Sequence, residues 1–440
     1  MYFIYIFVFL LMILFILING RKRMYKYNQR QDYCYDFKNP KIFNIENINL
    51  KEFNKNETLI LKLTIKSNIL SKLFTPYIKV SLENKVEKTF FEHGAAGIRY
   101  VDISTFCGFD NIKIFAQNCH IVSKNLEVYD FDDLDIKNKK LLIVAPHPDD
   151  AEISSFGLYS SSKESFIVTI TAGEGEAKYC DFEENKEKRS ILKGNLRVFD
   201  ALTTGLLGNV KFENNIALGY FNGTIEKMYK NKKDIISSEN IKTSDINYFR
   251  KVKHSKIKTN EEPISTWDSL VEDFVQIINS TNPDFIFTLH PQIDLHKDHQ
   301  YITLALIEAI EKLGLKDKKL LTSTNHLNYN EIYPYGKIFS TTSLAPRFKI
   351  PFVFDKIYSH KLSKEQQIYK FYALEAMHDL RDSTIQISLK KLFIFFYKQL
   401  RRYINGKEQS YYRRSVRTNE IFYITNCESL KKTYKEMELI

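Results

Sequence analysis

Cysteine is scarce in this chain and irregularly placed. Its five cysteines, Cys34, Cys107, Cys119, Cys180 and Cys427, form no Cys-x-x-Cys pair, which argues against both a disulfide framework and a cysteine zinc site. They read as reduced, mostly buried thiols. No basic residue precedes the apolar run from Tyr2 to Ile18, so the charged n-region of a cleaved signal peptide is missing, as is a small-residue cleavage site. A recognisable nucleic-acid module is also lacking. The net charge is +11, but Arg21, Lys22, Arg23, Lys26 and Arg30 supply much of the excess and the other basic residues are dispersed, so nucleic acid is not an expected partner.

The Tyr2 to Ile18 run is apolar on every side, which disfavours an amphipathic core helix, and its length is near the lower limit for a membrane span. A signal peptide, a core helix and an anchor are the three readings, and the missing n-region favours the anchor. The basic cluster lies after the run, so the positive-inside rule places everything beyond residue 20 in the cytoplasm. The expectation is a single-pass N-terminal anchor (1–20) in an inner or cytoplasmic membrane, followed by a basic juxtamembrane linker (21–42). With 440 residues, 44% of them hydrophobic, and 33 Phe and 27 Tyr, the rest of the chain can build large cores in two soluble domains.

Period two dominates the first of these. Leu59, Leu61, Leu63 and Ile65 alternate with Ile60, Lys62, Thr64 and Lys66, and Ile78, Val80 and Leu82 with Lys79, Ser81 and Glu83, the pattern of strands with one buried face. Further short strands at 99–103, 111–116 and 126–129 suggest a small β-sandwich over 43–135. The acidic run Tyr129 to Asp135 reads as a linker. Beyond it strands alternate with helices: strand 141–145, a helix from Asp150, strand 166–171, helix 184–204, helix 267–278, strand 285–289 and helix 298–313. That alternation predicts an α/β domain over 138–385, a Rossmann-like, mostly parallel sheet with helices on both faces, whose ligands bind beyond the carboxyl ends of strands. Residues 227–262, rich in Lys, Asn and Ser, read as a solvated loop or a lid. Residues 386–440 read as a basic C-terminal extension packing on this domain, with a basic aromatic stretch at 389–403 suited either to an anionic membrane surface or to docking on the core.

Two segments carry chemistry. Directly after the apolar strand Leu141 to Val144 stands Ala145-Pro146-His147-Pro148-Asp149-Asp150-Ala151-Glu152, and after the strand Phe285 to Leu289 comes Asp294-Leu295-His296-Lys297-Asp298-His299. Imidazoles plus a carboxylate are the usual donors of a catalytic zinc site that keeps one position open for water. His147 and Asp150, three apart, can turn toward one point while Asp149 stays free to take a proton from a water whose pKa the ion brings toward about 7. His296 and His299 are likewise three apart, with Asp298 able to orient or polarise one imidazole. Either segment alone could be an ordinary helix start or a chance His-x-x-His. Two of them, each following a strand, point to one crevice.

These motifs resemble the PIG-L or LmbE-like zinc-dependent N-deacetylases, which remove acetyl groups from N-acetylglucosamine-type sugars. The resemblance runs from about Leu141 to about His378. It is most specific at His147 to Asp150 and Asp294 to His299, and weaker at Thr171 to Glu174, at Arg197 with Asp200, at Leu218 to Gly223 and in the helix Lys370 to His378. Phe221-Asn222 departs from the family's Pro-Asp, which bears on substrate identity more than on reaction type.

The resemblance implies that His147, Asp150 and His299 bind Zn²⁺ or another divalent metal and that Asp149 is the general base. It further implies that His296 stabilises the oxyanion or protonates the leaving amine, that Asp298 tunes that histidine, and that Arg197, Asn222 and His378 meet the substrate. An activated water would attack the acetamide carbonyl and acetate would depart. The expected substrate is an N-acetylated amino sugar in a cell-envelope glycolipid or polysaccharide precursor, lipid-linked or not. A catalytically idle, membrane-tethered sugar-binding or scaffold protein of the same pathway is the alternative; it would have no need of the complete set of six motif residues.

Overall fold

The computed structural model describes residues 2–175, 183–315, 317–327, 332–349, 352–380, 389–405 and 412–439. Cys180 lies outside them. The first helix, α1 (Tyr2–Lys22), spans 21 residues, with Tyr2 to Ile16 exposed. At 1.5 Å per residue it is about 31 Å long, enough to cross a bilayer core. The chain divides into two compact units, one formed by residues 1–133, 329–352 and 386–419, the other by 134–328, 353–385 and 420–440.

The first unit is antiparallel. Its strands are β1 (Lys41–Asn44), β2 (Thr58–Ser67), β3 (Tyr77–Leu82), β4 (Lys85–Phe90), β5 (Gly97–Asp102), β6 (Lys113–Gln117), β7 (Cys119–Ile121) and β8 (Asn125–Phe131). They form a sheet of order β1-β8-β2-β5, with β7 also on β2, and a second of order β4-β3-β6. The alternation seen in the sequence is the reason. Leu59, Leu61, Leu63 and Ile65 of β2, Ile78 and Val80 of β3, and Leu126 and Val128 of β8 share one core cluster. The acidic run read as a linker is half strand, since β8 extends to Phe131 and pairs with β2 through Thr58 and Phe131. Alternating burial of Leu126 and Val128 holds it there.

The second unit is α/β with helices on both faces of a seven-stranded sheet. Its strands are β9 (Lys140–Ala145), β10 (Glu164–Thr171), β11 (Asn215–Tyr220), β12 (Phe285–Leu289), β13 (Lys319–Ser323), β14 (Lys356–Lys361) and β15 (Asn419–Asn426), in the order β11-β10-β9-β12-β13-β15-β14. From β11 to β13 every pairing is parallel, and β15 is antiparallel to β13. Burial on both faces makes β9 a continuous apolar run. Leu142 and Val144 point into a core shared with α5 (Trp267–Thr281), α6 (Lys297–Lys312) and α9 (Cys427–Glu436). Leu141, Ile143 and Ala145 point to the other face, where α2 (Asp150–Ser161) packs through Phe156 and Leu158 and α7 (Lys364–Ala376) through Ala373.

Residues 227–262 are exposed along much of their length, as a solvated loop would be, but they are also anchored in the core. Ile241, Ile246, Phe249 and Ile257 enter the core, and Arg250 forms a buried pair with Asp273 of α5, Nη2 to Oδ1 2.6 Å. Apolar residues spaced singly among Lys and Asn carry no helical or strand period, so their burial was hidden from a periodicity reading. The strand β15 was hidden for a related reason: it closes the sheet from far along the chain, a long-range pairing with no local signal.

Candidate metal centre

The strand order reverses between β9 and β12, and the crevice beyond their carboxyl ends is where such sheets bind ligands. From β9 the chain turns through Pro146 and Pro148 into α2, delivering His147, Asp149 and Asp150. From β12 it turns into α6 (Lys297–Lys312), with His296 at the helix N-cap and Asp298 and His299 in its first turn.

His147, Asp150 and His299 converge. The His147 Nδ1 lies 3.0 Å from His299 Nε2 and 3.3 Å from Asp150 Oδ2, and His299 Nε2 lies 3.2 Å from the same Oδ2. Three donors held tetrahedrally at about 2.0–2.1 Å from a zinc ion would stand about 3.3–3.4 Å apart. The triangle fits such an ion. All three residues are buried, and each has its other polar atoms engaged. His147 Nε2 faces Asp298 Oδ2 at 3.2 Å, His299 Nδ1 faces Asp294 Oδ1 at 2.9 Å, and Asp150 Oδ1 accepts from Asn325 Nδ2 at 2.7 Å. A carboxylate behind each imidazole is how metal-ligand histidines are usually held in one tautomer.

His296 stands beside this triangle. The imidazole nitrogens of His147, His296 and His299 lie within 4.8 Å of one another, and the His296 ring centroid is 4.7 Å from those of both other histidines. Its Nδ1 is buried without a hydrogen-bond partner. Burial, then the neighbouring His147 and His299, push its pKa down to about 4, so this imidazole is neutral and its proton can be given or taken. Asp298 acts on it through charge, but its hydrogen bonds are with His147 and, as acceptor, from Gly223 N at 2.7 Å and Ile225 N at 3.4 Å.

Asp149 faces the centre from a strained backbone, φ 145° and ψ −24°, a region open almost only to glycine and costing about 1–3 kcal/mol. Burial pushes its carboxyl up to about 6 while the Arg197 guanidinium opposes the shift. That guanidinium donates to Asp149 Oδ1 at 3.1 Å, to Pro148 O at 3.0 Å and to Gly173 O at 3.2 Å, and pairs with Asp379 at 3.1 Å. Arg197 is thus brought into the site as a clamp on Asp149. His378, by contrast, is half-exposed and bound to Asp200, Nδ1 to Oδ1 2.7 Å. Asn222 donates its backbone N–H to Glu174 Oε2 at 2.9 Å, which fixes the turn that also offers Gly223 N to Asp298.

Three further residues contribute that the sequence motifs did not assign: Asp294, Asn325 and His326. Asp294, beyond opening its motif, backs His299 and accepts from Asn325 N at 2.8 Å and His326 N at 3.1 Å. Asn325 and His326 follow β13, a third strand end at the same crevice, and the His326 ring lies 5.3 Å from that of His299. A polar Asn-His pair just after an apolar strand was the available signal.

A doubly wound sheet with carboxylate-backed histidines at its switch point defines an α/β protein with a site of metal-ligand type. Residues 142–310 match the family model PIG-L, described as GlcNAc-PI de-N-acetylase. Comparison with curated proteins returns no match. Among solved structures, the zinc-inhibited form of teicoplanin deacetylase Orf2 is 14% identical and aligns over 65% of this chain and 98% of its own, with a TM-score of 0.34. The N,N'-diacetylchitobiose deacetylase from Pyrococcus horikoshii is 16% identical over 67% and 88%, also at 0.34. GalB, the 4-carboxy-2-hydroxymuconate hydratase from Pseudomonas putida KT2440, is 12% identical over 66% and 95%, at 0.29. At such scores the likenesses leave the function to the site itself.

Proposed function

We propose that the chain is a membrane-anchored, metal-dependent N-deacetylase acting on an N-acetylated amino sugar of GlcNAc type, in a cell-envelope glycolipid or polysaccharide precursor. The observation that carries this is the triangle of His147 Nδ1, His299 Nε2 and Asp150 Oδ2, with edges of 3.0–3.3 Å. Those three residues would hold the ion, zinc or another divalent metal. Such an ion lowers the pKa of a bound water to about 7 and polarises a carbonyl. Asp149 takes the proton of the attacking water, its carboxylate kept in place by Arg197. Neutral His296, at the positive N-terminus of α6, donates toward the oxygen that gains charge or toward the departing amine. Asp298 and Asp294 hold the histidine rings in register. Asn222 and His378 are assigned to the sugar.

The helix α1 is the anchor, and the basic residues from Arg21 to Arg30 keep the body on the cytoplasmic side. The full chain, purified in detergent, should carry about one divalent metal and release acetate from a GlcNAc-containing lipid or oligosaccharide. Asp149→Asn should abolish release and leave the metal in place. Metal-free protein that still releases acetate would overturn the proposal.

A further inference from the structure

The first unit contains a cavity of about 530 Å³ at the root of α1, lined among others by Arg21, Phe74, His93, Lys337, Arg402 and Tyr403. Among the described residues lining it there is no carboxylate. Three of its side chains, Arg21, Lys337 and Arg402, are basic, and His93 has its pKa pushed down to about 3 by burial and then by Arg21. A cavity of this composition selects an anion. The α1 helix reaches it through Arg21, at the end where an apolar span gives way to the basic cluster.

The surroundings say what kind of anion. Arg402 and Tyr403 belong to α8 (Leu389–Ile404), whose Leu389, Phe393, Phe396, Leu400 and Tyr403 recur at alternating spacings of four and three and so share one face. They are 88%, 74%, 61%, 58% and 67% exposed. Lys398, Arg401 and Arg402 fall on the opposite side of the helix. This is the composition of a helix that lies in the plane of a membrane interface. The root of α1 touches it: a Cβ on Gly20 would stand 2.5 Å from Ile404 Cγ2. In the turn that supplies Leu73 and Phe74 to the cavity, Ile69, Leu70 and Phe74 are 77%, 49% and 59% exposed. Exposed apolar residues of both segments therefore adjoin, through Phe74 and Tyr403, a cationic recess where a bilayer span ends.

We propose that this cavity binds the phosphate-bearing headgroup of an anionic membrane lipid, with α8 and the Ile69 to Phe74 turn seated in the interface around it. The site shares no residue with the metal centre, and the proposal rests only on α1 being a span. Each basic residue held near an anionic surface strengthens binding, so removing two should weaken it about tenfold or more.

The test uses the full chain in detergent, titrated with short-chain phosphatidylglycerol, short-chain phosphatidylcholine or inorganic phosphate, with binding read by native mass spectrometry and calorimetry. Saturable phosphatidylglycerol binding, at least about tenfold tighter than phosphatidylcholine and weakened about tenfold in Lys337→Gln/Arg402→Gln, is the expected result. Asn118→Asp places a negative charge on the cavity wall, at a φ of 59° that Asp tolerates, and should weaken binding as well even if the double variant fails to fold. Equal retention of both lipids, unchanged affinity in folded variants, or inorganic phosphate binding as tightly as the lipid would overturn the proposal. Failure of α1 as a span would show separately, as release of the full chain from membranes by alkaline carbonate.

Discussion

Asp294 and His299 are locked together, Oδ1 to Nδ1 2.9 Å, both fully buried, and it is this contact that turns Nε2 of His299 toward Asp150 and His147. The other oxygen of Asp294 is occupied by the backbone N–H groups of Asn325 and His326. The carboxylate therefore cannot swing away without breaking contacts to two elements. Asp294→Asn should weaken metal affinity about 10–100-fold, the usual consequence of losing a residue that orients a ligand. Metal content at a fixed free-zinc concentration measures it; unchanged affinity would contradict the assignment of His299 as a ligand.

Arg197 should govern rate more than substrate binding. Its guanidinium holds Asp149 in a conformation that the backbone resists, so Arg197→Gln leaves the base present but misplaced. A fall of about 10²-fold in kcat is expected for misplacing a catalytic group, with smaller change in KM and full metal content. Steady-state kinetics on the metal-loaded chain decide this.

Metal removal should register in stability as well as activity. An ion that binds only the folded state adds RT ln(1 + [L]/Kd), about 2.7 kcal/mol at a hundredfold excess over Kd. Chelated protein should therefore show a lower, zinc-restorable unfolding midpoint. Asp150→Ala should abolish the difference between chelated and loaded samples.

The buried pair of Arg250 and Asp273 also takes hydrogen bonds from Tyr220 Oη at 2.9 Å and Asn260 N at 2.9 Å. Asp273→Ala leaves the guanidinium without its counter-charge, and a loss of about 3–5 kcal/mol is expected. Gly219 nearby has φ 81°, and a Cβ there would stand 2.4 Å from Ile246 O. Gly219→Ala should destabilise by about 1–3 kcal/mol through overpacking alone. Denaturant unfolding would reveal both, and near-neutral values would mean that 227–262 packs loosely.

Sealed vesicles of known orientation test the anchor. Protease should digest the body only where the cytoplasmic face is exposed; digestion from the opposite face would reverse the topology read from Arg21 to Arg30.

Local pattern made much of this legible. The apolar strands before His147 and before Asp294 announced themselves, and the strand at 285–289 falls where the alternation placed it. Period two in β2 and β3 marked the antiparallel unit. What stayed hidden was non-local: β13, β14 and β15, the packing of 227–262, and the Asn325-His326 turn all depend on partners distant in sequence.

The sequence by itself determined the chemistry available, three carboxylates and three histidines delivered by two loops, because strand and helix periods place loops without knowing their neighbours. Only the tertiary structure decided which atoms meet. It set Asp298 against His147 by hydrogen bond and against His296 by charge alone, made Arg197 the clamp on Asp149, and recruited Asp294 and Asn325 as supports. The reason is physical: hydrogen bonds and ligand triangles form only at separations of about 3 Å, and such separations between residues some 150 positions apart are created by sheet order and packing.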